Sequence, residues 1–266
     1  MATNTDRPLA VVTGASSGIG YELAAQFARN GFDLVIAAED AELDTAARSL
    51  RDLGAEVESV RVDLAEYEGV ERLYEAVRAT GRPAEAVAIN AGVGAGGDFA
   101  RDTSLEDELR LIRLNVTSSV HLAKRVTRDM VARGRGRILF TSSIAATMPG
   151  PFQAVYHASK AFVQSFAEGI RNELKDTGVT VTALMPGPTD TEFFERAGME
   201  DTRIGSGHKD DPAEVARQGF EALMAGKDHI VAGSFANKAM AQAARVTPEP
   251  AKAAASRRLS EPGSGG

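Results

Sequence analysis

The chain has 266 residues, of which 43% are hydrophobic and 25% charged, and these ordinary globular proportions exclude wholesale disorder. Cysteine is absent, so a disulfide framework and a thiolate nucleophile are excluded, and a cytoplasmic location is expected. The net charge of -7 without a basic block argues against nucleic-acid binding. The polar residues 1–7 predict no secretory signal, and without an apolar run of about 18 residues no membrane span is expected.

Short apolar runs alternate with amphipathic stretches in the first third of the chain. The apolar runs, which predict strands, cover residues 9–13, 34–37, 57–62 and 87–89. Continuous apolar strands separated by helices are typical of a parallel sheet covered on both faces.

A long helix is predicted over residues 105–132, where apolar side chains recur every three or four residues. The stripe that runs from Leu105 through Leu109 and Ile112 to Met130 is interpreted as core. A second apolar stripe follows, at Leu111, Leu114 and Leu122. Part of this helix is therefore available to face a partner subunit.

Further strands and helices alternate in the second half of the chain. The strands are predicted at 137–141, 179–185 and 229–231, and the helices at 153–175, 212–225 and 234–258. The whole pattern predicts an α/β fold, a doubly wound Rossmann-type parallel sheet of about seven strands with helices on both faces.

One domain is predicted to carry both nucleotide binding and catalysis, over residues 8–232. Prolines and glycines interrupt residues 188–210, which are interpreted as a substrate lid with a short helix near 192–196. Residues 233–266 are predicted to form a C-terminal helix and a frayed tail.

A glycine-rich turn links the first predicted strand to the first helix. Gly14, Gly18 and Gly20 allow a tight turn and a close approach of the backbone to a pyrophosphate, which the helix N-terminus attracts. A turn that binds nothing is the alternative. The position of the turn makes that alternative weaker, because α/β sheets bind dinucleotides there.

The spacing of this turn, Thr-Gly-x-x-x-Gly-x-Gly, resembles that of the short-chain dehydrogenase/reductase family in its short, single-domain form. Further motifs that resemble those of the family follow in matching order over residues 8–232. They are Asn90-Ala91-Gly92, Asn115 in the long helix, Ser143 placed 13 residues before Tyr156, Tyr156-x-x-x-Lys160, and Pro186-Gly187 with Thr191.

The resemblance implies a catalytic group of Ser143, Tyr156, Lys160 and Asn115. Tyr156 and Lys160 share a helix face, and an ammonium beside a phenol favours the phenolate. Similarity to the family implies that Tyr156 is the general acid/base and that Lys160 tunes it. Ser143 is expected to bind the substrate oxygen, and Asn115 to hold a helix distortion and a water next to Lys160.

The resemblance also implies a nicotinamide cofactor. The expected binding residues are Gly14, Ser16, Ser17, Gly18, Ile19, Gly20, Glu39, Asp40, Asp63, Leu64, Asn90, Ala91, Gly92, Tyr156, Lys160, Pro186, Gly187 and Thr191.

Two acidic residues bear on the choice of cofactor. Asp40 lies 20 residues after Gly20, where an acid typically binds the adenosine ribose and repels a 2′-phosphate. With Glu39 beside it, NAD(H) is favoured over NADP(H). NADP(H) stays open, because many NAD-using relatives carry the acid at the place of Ala38, and Arg48 and Arg61 could fold toward the site.

The predicted substrate is a moderately apolar carbonyl compound or secondary alcohol. Its expected contacts are Ser143, Tyr156, Val93, Met148, Phe152 and Phe193. No metal site is predicted, since the histidines show no ligand spacing. A homodimer or homotetramer is expected. The alternatives are a non-catalytic NAD(P)-binding regulator and a sugar-nucleotide epimerase or dehydratase, whose larger C-terminal region this chain lacks.

Overall fold

The computed structural model describes residues 7–244 and 246–265. The polar residues 1–6 and Gly266 at the predicted tail therefore lie outside the described residues. Within the described part, the strands are β1 (Leu9–Thr13), β2 (Asp33–Ala38), β3 (Val57–Arg61), β4 (Ala84–Ile89), β5 (Gly136–Thr141), β6 (Val179–Pro186) and β7 (His229–Ala232).

All of these strands form one parallel sheet in the order β3-β2-β1-β4-β5-β6-β7. The order reverses between β1 and β4, which opens a crevice at the carboxyl ends of these two strands. The predicted doubly wound α/β fold is confirmed.

Helices cover both faces of the sheet. They are α1 (Gly18–Arg29), α2 (Glu42–Asp52), α3 (Tyr67–Ala79), α4 (Leu105–Ile112), α5 (Ser118–Arg133), α6 (Ala154–Glu173), α7 (Phe193–Arg196), α8 (Arg203–Ser206), α9 (Pro212–Met224), α10 (Phe235–Ala244) and α11 (Glu249–Ser260).

Two apolar cores lie on opposite faces of the sheet, because successive strand residues point in opposite directions. In β1, Val11 joins the core under α3, α5 and α6, whereas Val12 joins the core under α1, α2 and α9. Both side chains are fully buried. The sheet is thus closed to solvent on both faces, as its nearly continuous apolar strands require.

The predicted long helix contains a π-helical turn at residues 113–117, between α4 and α5. The prediction for its first apolar stripe was wrong at Leu105, Leu109 and Ile112, which are exposed, and is confirmed at its end, where Met130 is fully buried. The second stripe, which the sequence left available for a partner, is buried in the monomer at Leu111, Leu114 and Leu122.

The π turn explains this exchange of faces. Five turns of an ideal α-helix span about 18 residues, which leads back from the buried Met130 to Ile112. A π turn accommodates one extra residue, so the core-facing position moves from Ile112 to Leu111.

The C-terminal region also differs from the prediction. The single helix expected over 234–258 is two helices, α10 and α11, because Pro248 has no N–H to continue a helix. The tail is not frayed over its described residues. The Gly265 N–H donates to the Asp201 carbonyl at 2.8 Å, and the Gly263 N–H to the Asp201 carboxylate at 2.9 Å.

In the part of the chain that the structure describes, no helix is both long and apolar enough to cross a membrane.

Candidate active site

The glycine-rich turn between β1 and α1 has the conformation that its sequence predicts. Gly14 and Gly18 have φ angles of +65° and +55°, a region that other residues rarely adopt. A Cβ on Gly20 would overlap the Gly14 carbonyl group. The turn therefore depends on all three glycines, and it leaves the first N–H groups of α1 without helical partners.

A cavity of about 430 Å³ lies at the carboxyl ends of the strands. The predicted cofactor-binding residues all line it: Gly14, Ser16, Ser17, Gly18, Ile19, Gly20, Glu39, Asp40, Asp63, Leu64, Asn90, Ala91, Gly92, Tyr156, Lys160, Pro186, Gly187 and Thr191.

The residues around this cavity fit a dinucleotide. Asp40 accepts a hydrogen bond from the Ser16 hydroxyl at 2.8 Å, whereas its Oδ1 is buried and has no partner among the described residues. A sugar hydroxyl is a suitable donor for such an oxygen. The glycine-rich turn and α1 supply the N–H groups that a pyrophosphate requires.

Arg110 of α4 pairs with two carboxylates at the expected adenosine end of the cavity, although it does not itself line the cavity. Its guanidinium lies 2.5 Å from Glu39 Oε2 and 2.8 Å from Asp63 Oδ2. Burial would raise the pKa of Asp63, but hydrogen bonds from Arg110 and from the Ala65 N–H, with the charge of Arg110, lower it overall. Nothing in the sequence indicates a role for Arg110 at this site, because only folding brings α4 against the ends of β2 and β3.

Tyr156 and Lys160 lie on one face of α6, as predicted, at the base of the cavity. The Lys160 ammonium is 5.8 Å from the centre of the Tyr156 ring and donates to the Thr141 carbonyl at 2.9 Å. Burial raises the pKa of Tyr156 to about 12, although a hydrogen bond with Ser143 opposes this rise. Burial lowers the pKa of Lys160 to about 8.

Ser143 follows β5 and lies within hydrogen-bond reach of the Tyr156 hydroxyl. Its Oγ accepts a hydrogen bond from the Ala145 N–H at 3.1 Å and is 3.4 Å from the Pro186 carbonyl. The backbone bond fixes the oxygen, while the long contact to Pro186 leaves the hydroxyl hydrogen free to turn toward a substrate oxygen.

Asn115 lies within the π turn and not on the cavity surface. Its amide nitrogen donates to the Val93 carbonyl and its Oδ1 accepts from the Val93 N–H, both at 2.9 Å. A Cβ on Gly92 would lie 3.1 Å from Asn115 Oδ1 and 3.3 Å from Lys160 Nζ. Asn115 and Lys160 therefore meet behind Gly92, and the predicted helix distortion is present.

Asn90 and His157 also have clear structural roles. The Asn90 amide donates to the Thr13 carbonyl at 3.1 Å and accepts from the Thr141 hydroxyl at 2.9 Å, which ties the ends of β1, β4 and β5 together. The Nδ1 atom of His157 lies 2.9 Å from the Met148 carbonyl, and burial lowers the pKa of this histidine.

Four residues were predicted to contact the substrate without taking part in catalysis. Three of them line the cavity, namely Val93, Met148 and Phe193. The Phe193 ring lies 5.1 Å from the Tyr156 ring. The prediction for Phe152 was wrong, since this residue does not line the cavity. Its positive φ of 63° is that of a turn, and its ring packs against the Arg257 guanidinium at 4.8 Å.

The C-terminal region supplies wall residues that the sequence analysis did not identify. Met240 of α10 and Ser256, Leu259 and Ser260 of α11 line the cavity. The buried Gln153 amide donates to the Ser260 hydroxyl at 3.0 Å, which joins α11 to the start of α6. The serines and leucine at helical spacing were the available signal, but nothing in the sequence indicates the location of this helix.

The chain was compared with known proteins. Residues 8–201 match the family model described as short chain dehydrogenase. The chain belongs to the short-chain dehydrogenase family. This confirms the resemblance of its motifs, and it makes the protein an oxidoreductase of a family whose solved relatives bind NAD or NADPH.

Three relatives of this short-chain dehydrogenase illustrate the similarity. The 1-deoxy-11-beta-hydroxypentalenate dehydrogenase of Streptomyces exfoliatus is 35% identical over 85% of this chain and 83% of its own. A short-chain dehydrogenase from Sphingobium yanoikuyae in complex with NADPH has a TM-score of 0.78 at 32% identity, covering 84% of this chain and 87% of that one.

A short chain dehydrogenase/reductase from Burkholderia phymatum in complex with NAD also has a TM-score of 0.78. It is 27% identical, and the match covers 92% of this chain and 94% of that one. The two solved structures thus share a nicotinamide cofactor, which is NADPH in one and NAD in the other.

Proposed function

We propose that this short-chain dehydrogenase interconverts an apolar carbonyl compound and its secondary alcohol, with Ser143, Tyr156, Lys160 and Asn115 as the catalytic group. The observation that carries the proposal is the half-buried Tyr156 phenol next to the buried Lys160 ammonium, with Ser143 within hydrogen-bond reach of the phenol beside the glycine-rich turn. A non-catalytic nucleotide-binding protein could use Tyr156 and Lys160 as cofactor contacts, but it has no need of Ser143 beside the Tyr156 hydroxyl, where a second donor can stabilise charge on a substrate oxygen.

A bound nicotinamide cofactor supplies the hydride for reduction or accepts it in oxidation. The protein manages the proton and the developing charge on oxygen. In reduction, the Tyr156 phenol donates its proton to the carbonyl oxygen and the Ser143 hydroxyl donates a hydrogen bond to the same oxygen. In oxidation, the Tyr156 phenolate takes the proton from the alcohol.

The charge of Lys160 bears on both carbonyl reduction and alcohol oxidation. With its pKa at about 8, Lys160 is an ammonium at neutral pH, and its positive charge favours the phenolate that remains after proton donation. The Tyr156 phenol, whose pKa is about 12, is the form present at neutral pH. The resting protein thus holds the acid that carbonyl reduction requires.

The cavity wall supports an apolar substrate of considerable size. Phe193, Met148 and Val93 surround the space above Tyr156, and Leu259 and Met240 close it from the C-terminal side. We further propose that residues 188–210 act as the substrate lid, since Phe193 belongs to this segment. The Streptomyces relative is named for a hydroxypentalenate, and we expect a similarly large alcohol or ketone here.

NAD(H) is the proposed cofactor in preference to NADP(H). Glu39 and Asp40 both line the expected adenosine end, and carboxylates repel a 2′-phosphate. The ion pair between Glu39 and Arg110 weakens this repulsion, so we expect NADH to bind about tenfold more tightly than NADPH, a difference of about 1.4 kcal/mol. Dissociation constants of the two reduced cofactors, measured by fluorescence titration, test this preference.

The central experiment is a cofactor-depletion assay against a panel of ketones and secondary alcohols graded in size and polarity. We expect turnover with bulky apolar members and little turnover with small polar ones. If the protein binds the cofactor but neither reduces any ketone nor oxidises any alcohol of the panel, the result would instead support the regulatory alternative.

A further inference from the structure

Arg110 joins two carboxylates that come from different strands. Glu39 directly follows β2 and Asp63 lies just beyond β3, and each accepts from a different terminal nitrogen of the Arg110 guanidinium, at 2.5 Å and 2.8 Å. Both carboxylates line the cavity at its expected adenosine end, whereas Arg110 reaches them from α4 on the far side. The guanidinium does not itself line the cavity, so it lies behind these two carboxylates at the edge of the nucleotide site.

The charges at the expected adenosine end of the cavity determine which nucleotide the site accepts. Glu39, Asp40 and Asp63 place three carboxylates around the region where the adenosine ribose is expected. Arg110 contacts two of them, so its charge offsets part of a field that otherwise opposes a phosphate. A guanidinium can also bind a phosphate through two parallel N–H groups, which a carboxylate cannot do.

Arg110 is bound by these carboxylates but remains partly exposed to solvent. Its side chain is 35% exposed, and that of Glu39 is 52% exposed. A partly exposed ion pair is worth little in stability, so exchanging Glu39 for another anion as partner costs little. Of the two other arginines considered near this site, Arg48 bonds within its own helix to Thr45 at 2.8 Å, and neither Arg48 nor Arg61 lines the cavity.

We propose that Arg110 is the specificity-determining residue for the 2′ position of the adenosine ribose. With NADH bound, Arg110 stays on Glu39 and Asp63, and with NADPH bound, it turns from Glu39 to the 2′-phosphate. The proposal rests on the nicotinamide binding of the proposed function, and it makes Arg110 the reason that the acidic adenosine end still admits NADPH.

The test is the ratio of the NADPH and NADH dissociation constants for the parent and for Arg110→Gln, measured by titration without a substrate. We expect NADPH to bind roughly tenfold more weakly to the variant, the effect of one charge-assisted hydrogen bond. NADH should change by less than about threefold. An unchanged ratio, or a selective loss of NADH binding, overturns the proposal.

Matched variants separate this role from a general effect of charge. Arg113→Gln removes an arginine that lies one turn further along and pairs with Glu106, and it should leave the ratio unchanged. Arg110→Lys keeps the charge without the fork and should recover part of the NADPH affinity. An equal change of the ratio in Arg113→Gln contradicts a specific role for Arg110.

A variant of Glu39, the ion-pair partner of Arg110, keeps the proposal testable if Arg110→Gln fails to fold. Glu39→Gln frees the guanidinium, so NADPH should bind more tightly by about threefold or more relative to NADH. A relative weakening of NADPH binding contradicts the proposal. If neither cofactor binds to the folded parent, the proposed function itself fails, whereas an unchanged ratio in variants that bind both cofactors refutes only the role of Arg110.

Discussion

The hydroxyl of Tyr156 is the proton donor of the proposed reaction, and its removal is the most direct test. Tyr156→Phe keeps the ring that packs on Phe193 and loses the acid. We expect turnover to fall by about 10²–10⁴-fold, the usual contribution of a positioned general acid, while NADH affinity is retained. Steady-state rates and cofactor titration measure the two effects, and near-normal turnover would rule out the assignment.

The buried ammonium of Lys160 predicts a pH-dependent stability. Its folded pKa of about 8 lies below the ordinary 10.5, so the unfolded chain binds more protons between these values and stability rises with pH there. Relative to Lys160→Met, the parent should therefore gain about 2 kcal/mol of unfolding free energy between pH 7 and pH 9.5.

Urea unfolding of both proteins at the two pH values measures this gain. The comparison cancels the titration of groups that the two proteins share. A difference that stays constant with pH would mean that Lys160 keeps its ordinary pKa in the fold.

At the scale of elements, the tail is hydrogen-bonded to the segment proposed as the substrate lid. The tail is defined as residues 261–266, and the main-chain and side-chain oxygens of Asp201 in the lid accept hydrogen bonds from Gly265 and Gly263. The Arg203 N–H also donates to the Ser264 hydroxyl at 3.2 Å. These bonds join the tail to residues 201–203 of the segment proposed as the substrate lid.

We expect deletion of the tail to raise the substrate KM about tenfold, because hydrogen bonds worth about 1 kcal/mol each are lost from the closed lid. The NADH dissociation constant should change little. KM measurements and limited proteolysis of residues 188–210 test the deletion against Arg258→Ala, an exposed change on α11. An unchanged KM would separate the tail from lid closure.

At the scale of the whole molecule, one apolar surface has no cover in the monomer. Leu105, Leu109 and Ile112 of α4 are 73%, 41% and 38% exposed, and Phe162 of the neighbouring α6 is 41% exposed. Burial of such a surface favours self-association. We expect a symmetric homo-oligomer formed through these two helices.

Sedimentation velocity at micromolar concentration measures the assembly. Phe162→Glu should shift the protein toward the monomer, whereas Phe235→Glu, which replaces the same residue type at a more exposed position on α10, should leave it unchanged. A monomeric parent protein would refute the predicted oligomer.

The sequence by itself determined the fold class and most of the cavity wall. The apolar runs of β1 and β2 require a sheet that is buried on both faces, and the positions of Gly14, Gly18 and Gly20 require the turn that the structure contains. These features can be predicted from the sequence, because they arise from local periodicity and from backbone conformations that only glycine adopts easily.

Only the tertiary structure decided which side chains from distant segments meet. The ion pairs of Arg110, the approach of Ser260 to Gln153 and the contact of the tail with Asp201 join residues far apart in sequence. The burial of Leu111 in place of Ile112 depends on a π turn whose extra residue alters the helical period. Such contacts depend on how whole elements pack, and periodicity along one element carries no information about its neighbour in space.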